Sequence, residues 1–102
     1  MDERQRLRLG TQTLIRQSES CLSHEAPSVS GVDERAVREA LSPLRELDAL
    51  LADPTVELTP DGASVVAAVV VGDAWSPACF PRRSSQLPVA VAAALEALRQ
   101  GS

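Results

Sequence analysis

The side chains that could do chemistry are few. The only histidine, His24, stands three positions after Cys21, a spacing that would put a thiol and an imidazole on one helix face. No motif surrounds that pair, and the helix carrying Cys21 ends near it, so a solvent-exposed histidine at a helix end is the simpler expectation. Two cysteines 58 positions apart (Cys21 and Cys79) and one histidine lack the close ligand pairs of a structural zinc site. The five glycines form neither GxGxxG nor GxxxxGK[ST], so no phosphate-cradling loop is expected. Asp33-Glu34 reads as a capped, solvated helix start rather than a catalytic carboxylate pair. No catalytic residue, metal or cofactor is expected.

One stretch stands apart. Residues 72–85, Gly-Asp-Ala-Trp-Ser-Pro-Ala-Cys-Phe-Pro-Arg-Arg-Ser-Ser, hold both aromatic residues of the chain, Trp75 and Phe80, one cysteine and two of the seven prolines. They also hold the only adjacent arginine pair, Arg82-Arg83. Prolines reduce the ordering cost of presenting side chains, and Trp, Phe and Arg suit an interface. Arg82, Arg83, Ser84 and Ser85 lie just before a predicted helix start, where free backbone N–H groups favour an anion. The plainer reading makes Trp75 and Phe80 a lid on the core, with the arginines paired to acidic residues of segment 33–53.

These residues need a scaffold, and 102 residues supply one small domain with no room for two cores. With two aromatics in total, the core must be Leu, Val and Ala. Residues 2–22 read as a helix with Leu7, Leu14, Ile15, Cys21 and Leu22 along one narrow stripe, Thr11 and Ser18 filling intermediate positions, and Gly10 is a weakness in it. Residues 23–32 are linker-like, rich in Ser with Pro and Gly. Residues 33–52 carry Val37, Leu41, Leu44, Leu47 and Leu51 at helical spacing, with Ser42-Pro43 predicting a kink or a split. A last helix spans 88–100, with Leu87, Val91, Leu95 and Leu98 inward and Pro88 in its first turn.

The decisive segment is 55–72. Thr55 to Thr59 alternates, Pro60-Asp61-Gly62 is turn chemistry, and Ala63 to Val71 places five valines in nine positions. That pattern predicts a β-hairpin. The competing reading is a helix with Thr59 as N-cap and Pro60 in its first position. β-Branched residues and an early Gly62 weigh against that helix. The fold expected is therefore α+β, with the last helix on a small sheet and 73–81 as a possible third strand; an all-α bundle is the alternative. The helix–helix–hairpin order is loosely similar to a winged helix. Residues 42–53, which would enter the groove, are acidic and leucine-rich, which disfavours DNA.

A hairpin of unequal strands leaves the end of 63–71 unpaired and apolar on both faces, an edge that needs a mate. The expected function is thus a small non-enzymatic protein-interaction module, an adaptor or chaperone-like regulator. It would be homodimeric through strand 63–71 and loop 73–85, using Val69, Val70, Val71, Trp75, Phe80, Arg82 and Arg83. The alternative is a regulatory domain sensing a small ligand or anion with Arg82, Arg83, Ser84 and Ser85. A net charge of −4 offers no general attraction for nucleic acid or anionic lipid. The start, Met-Asp-Glu-Arg-Gln-Arg, does not read as a secretory signal, and the apolar run 65–71 is far short of a membrane span. The expected compartment is the cytoplasm, with both thiols reduced.

Overall fold

The computed structural model describes residues 2–22, 31–71, 75–76 and 79–100. Among them lie five α-helices: α1 (Glu3–Leu22), α2 (Glu34–Ala52), α3 (Pro60–Val70), α4 (Phe80–Arg83) and α5 (Leu87–Gln100). A 3₁₀ turn, Ser84–Gln86, joins α4 to α5. No described residue is in a strand, so the expected α+β fold gives way to its alternative, a small all-helical bundle.

The four long helices form a ring in the order α1, α2, α5, α3, each packed on its two neighbours. Residue pairs set their directions. Arg8 meets Asp48 and Glu19 meets Arg45, so α1 and α2 run antiparallel. Asp33 meets Ser84 at one end and Glu46 meets Arg99 at the other, so α2 and α5 run the same way. Gly62 faces Ala97 while Val69 and Ala90 share a cleft, so α3 runs against α5.

Two layers of core fill the ring. One gathers Leu7, Leu47, Leu51, Val66, Val69, Ala94, Leu95 and Leu98 from all four helices. The other gathers Leu14, Val37, Ala40, Leu44, Leu87 and Val91 with Phe80. Eleven residues of α3 span only about 16 Å, roughly three-quarters of the length of α5. Phe80, 1% exposed, completes the second layer, with Trp75 packed against it.

The valine segment is a helix for local and tertiary reasons together. The Thr59 hydroxyl accepts the Gly62 N–H at 3.0 Å, and Pro60 occupies the first turn, where its missing donor costs nothing. Gly62 is an asset there: a Cβ would lie 3.0 Å from Thr59 Oγ1 and 3.4 Å from the Ala97 carbonyl oxygen, so glycine lets α3 start hard against α5. Burial of Val66 and Val69 outweighs the rotamer cost of valine in a helix, a few tenths of a kcal/mol per residue. The backbone donors and acceptors that a strand edge would have left open are bonded within α3.

Three further expectations change. Gly10 is not a weak point of α1: a Cβ there would stand 2.4 Å from the Val70 carbonyl oxygen, so it permits the close crossing of α1 and α3. Thr11 and Ser18 belong to the buried stripe with Leu7 and Leu14, because their hydroxyls donate to Leu7 and Leu14 carbonyls at 2.8 Å. The second helix is not split. It runs through Pro43, losing one backbone hydrogen bond, while buried Val37 and Ala40 before it and Leu44 and Leu47 after it hold both halves to the core. Beyond its end, Arg4 of α1 donates to the carbonyls of Leu51, Asp53 and Val56, closing acceptors that a helix terminus leaves open.

Candidate interaction surface

The residues singled out for association divide between core and surface. Val69 is 9% exposed and inside the first core layer. Val70 is half-buried between both layers and Val71 is half-buried against the first. None of the three belongs to an open sheet edge, because the sheet is absent among the described residues. The homodimer route through strand 63–71 is thereby removed. Phe80 is core. The expected third strand fares no better: Trp75 and Ser76 are in a turn, Phe80 and Pro81 begin α4, and residues 72–74 and 77–78 lie outside the described residues. So do His24 and most of the 23–32 linker, leaving the Cys21–His24 pair without a described geometry.

Trp75, Arg82 and Arg83 do lie at the surface. Trp75 stands edge-on to Phe80, with ring centroids 6.2 Å apart and planes at 68°. Its backbone carbonyl accepts from Gln17 Nε2 at 2.9 Å, tying this turn to α1. Its indole Nε1–H is shielded from solvent and has no hydrogen-bond partner among the described residues. Beside it opens a cleft of about 440 Å³ whose walls include Ala68 and Val69 of α3, Val89 and Ala90 of α5, and Arg83. Arg82 and Arg83 are both exposed, and neither makes an ion pair among the described residues. With Cys79 they border a second hollow of about 300 Å³.

The anion set does not assemble as four ligands. Ser84 is 1% exposed; its hydroxyl accepts the Asp33 N–H at 2.8 Å and donates to the Pro81 carbonyl at 3.0 Å. It fastens α4 to the start of α2. Ser85 is exposed and borders the Trp75 cleft. Cys21 and Cys79 are both free thiols and half-buried, and burial raises the Cys21 pKa. Among the described residues no group of three or more His, Cys, Asp or Glu is placed to hold a metal ion. No described helix is long and apolar enough to cross a membrane.

The larger surface feature is one that sequence reasoning missed. Where α3 and α5 lie side by side, the outward positions are Ser64, Val65 and Ala68 on α3 and Val89 and Ala93 on α5, all exposed. Val89 is 74% exposed and Val65 38%. Clefts mark both ends of this seam. Arg83 borders the one described above; Asp61, Val65, Ala97 and Gln100 border the other, about 380 Å³ in volume. Glu96, exposed on the same stripe of α5, accepts from Gln100 Nε2 at 3.2 Å. The signal was present in the sequence: once 60–70 is drawn as a helix, its wheel leaves Val65 and Ala68 off the buried side. No protein-family model matches this chain, nor does any curated protein or solved structure.

Proposed function

We propose that the protein is a small non-enzymatic interaction module, an adaptor or regulator of the cytoplasm, that works by docking another polypeptide on the outer wall of α3 and α5. One observation carries this reading: the middle of that wall exposes Val65, Ala68, Val89 and Ala93, with Ser64 its only polar side chain and no charge among them. Burying such side chains is favourable by about 25 cal/mol per Å² of apolar surface. A contiguous apolar patch bordered by polar residues is the usual mark of a binding face, whereas scattered apolar residues such as Leu9 are ordinary. Trp75 and Arg83 at one end add residue types that anchor interfaces. The free thiols of Cys21 and Cys79 suit a reducing compartment. A net charge of −4 does not favour nucleic acid as the partner.

A photo-crosslinking amino acid at position 89, compared in the native host with one at exposed Arg38 of α2, tests this reading. Covalent adducts to protein are expected at 89 and not at 38. Equal yields at the two positions, or none at 89, would remove the wall as a docking face.

A further inference from the structure

The charges at the two ends of the α3–α5 wall are of opposite sign. Arg83 borders the cleft at the end where α3 finishes and α5 begins, and shares a neighbouring hollow with Arg82. Asp61 and Glu96 stand at the end where α3 begins and α5 finishes. Among the described residues none of these four forms an ion pair. Arg99, by contrast, is turned toward α2, where it pairs with Glu46. The wall thus reads basic, apolar, basic's opposite, along one seam with a cleft at each end.

A surface with that order is complementary to itself when turned end over end. A two-fold axis through the middle of the seam sets Arg82 and Arg83 of one molecule against Asp61 and Glu96 of the other, twice. It also brings the two Val65–Ala68–Val89–Ala93 patches face to face. The opposite, parallel stacking would put like charges together at both ends and is disfavoured. Resting on the reading of this wall as a docking face, we infer that its partner is a second copy of the same chain, packed antiparallel through α3 and α5 into a dimer with eight long helices among its described residues. The wall is about 20 Å long, as fixed by 14 residues of α5, so the contact is small and the dimer reversible.

Sedimentation equilibrium of the whole purified chain at low salt, from micromolar to millimolar concentration, tests this, with circular dichroism checking that each variant keeps its helices. The wild-type protein is expected to pass from monomer to dimer, and Val89→Glu to weaken that dimer about a hundredfold by burying an unpaired carboxylate. Arg82→Glu with Arg83→Glu, and Asp61→Arg with Glu96→Arg, are each expected to weaken self-association about tenfold or more, because each makes both ends of the dimer repulsive. Mixing those two variants restores every charge pair, so a mixed dimer of wild-type strength is expected. Arg45→Glu, on the far wall, leaves association unchanged. The charge variants are all at exposed sites, so they keep the test open if Val89→Glu fails to fold.

A chain that stays monomeric near millimolar concentration overturns self-pairing. If position 89 still crosslinks, to a protein of another mass, the docking face stands and only its occupant was wrong. A dimer that survives Val89→Glu overturns the face itself, and a mixture that fails to associate overturns the antiparallel arrangement.

Discussion

The α1–α2 wall and the α3–α5 wall cover opposite sides of one core, and water meets very different surfaces on the two. The first is laced with charge: Arg8 pairs with Asp48 at 3.1 Å, Arg45 with Glu19 at 3.6 Å, Arg35 with Glu39 at 3.5 Å and Arg6 with Glu3 at 3.0 Å. Such exposed pairs contribute little stability each, at most about 1 kcal/mol. Their larger effect is to make that wall soluble and finished. The second wall keeps its charges at its two ends and leaves valine and alanine between. A helix that is apolar nearly all round normally has neighbours on every side; α3, with Asp61 its only charged residue, has them on the inside only. The bundle therefore ends in ion pairs toward α1 and α2 and in bare apolar side chains toward α3 and α5.

The comparison breaks most severely at Gly10, the point where α3 leans on α1. In an ordinary helix interior Gly→Ala stabilises by about 1 kcal/mol. Here the added Cβ would meet the Val70 carbonyl oxygen at 2.4 Å, and that oxygen is backbone that cannot rotate away. Gly10→Ala is therefore expected to reverse the sign and cost about 2–4 kcal/mol in urea denaturation, by prising α3 from the bundle. Val66 and Val69 would lose their seats while the Arg8–Asp48 contact of the other wall persists. A neutral or stabilising result would show that the close crossing does not hold α3 in place.

A smaller effect isolates the start of α3. Thr59→Ala removes the hydroxyl that accepts the Gly62 N–H and should cost about 1 kcal/mol. Amide exchange should speed up within residues 60–70 and not within α1 or α2, since α3 is the shortest of the four long helices. Uniform acceleration across all four would mean that the two walls open as one unit.

How much of this was legible follows the same division. The helices α2 and α5 are legible because their inward residues recur at helical spacing: Val37, Leu44, Leu47 and Leu51 in α2, and Leu87, Val91, Leu95 and Leu98 in α5 are buried, while Leu41 is half-buried; in α1 Leu7 and Leu14 are buried and Ile15, Cys21 and Leu22 half-buried. Helix α3 could not be read the same way. Its valines carry strand propensity, its periodicity is blurred by apolar residues on every side, and Pro60-Asp61-Gly62 serves equally as a turn or a helix start. What decides is tertiary: Gly10 and Gly62 allow backbones to approach on two sides, and that closeness is not encoded in local spacing. The site suffered from the same cause. An apolar segment drawn as a strand made Val69 and Val70 the sticky residues, whereas the helix turns Val69 inward and presents Val65 instead. Arg82 and Arg83 are exposed, and the expected pairing with acidic residues of segment 33–53 does not occur among the described residues.

The gentlest probe lies in the segment that links the two walls. Asp53 caps the end of α2, and its carboxylate accepts from both the Thr55 hydroxyl, at 2.6 Å, and the Thr55 N–H, at 2.9 Å. Those bonds favour the charged form, the hydroxyl more than the amide, and Arg4 nearby adds to them, so the carboxyl titrates below the ordinary aspartate range. A group whose pKa is lower when folded than when unfolded stabilises the fold above its unfolded value, about pH 4. That contribution fades as pH falls through the lower folded value. Asp53→Asn should therefore reduce stability at neutral pH and leave it nearly unchanged in strong acid, so the two denaturation curves converge as pH drops below about 4. Curves that stay parallel into acid would mean that the Asp53 turn forms equally well without its charge, and that the joint between the walls is held by Arg4 alone.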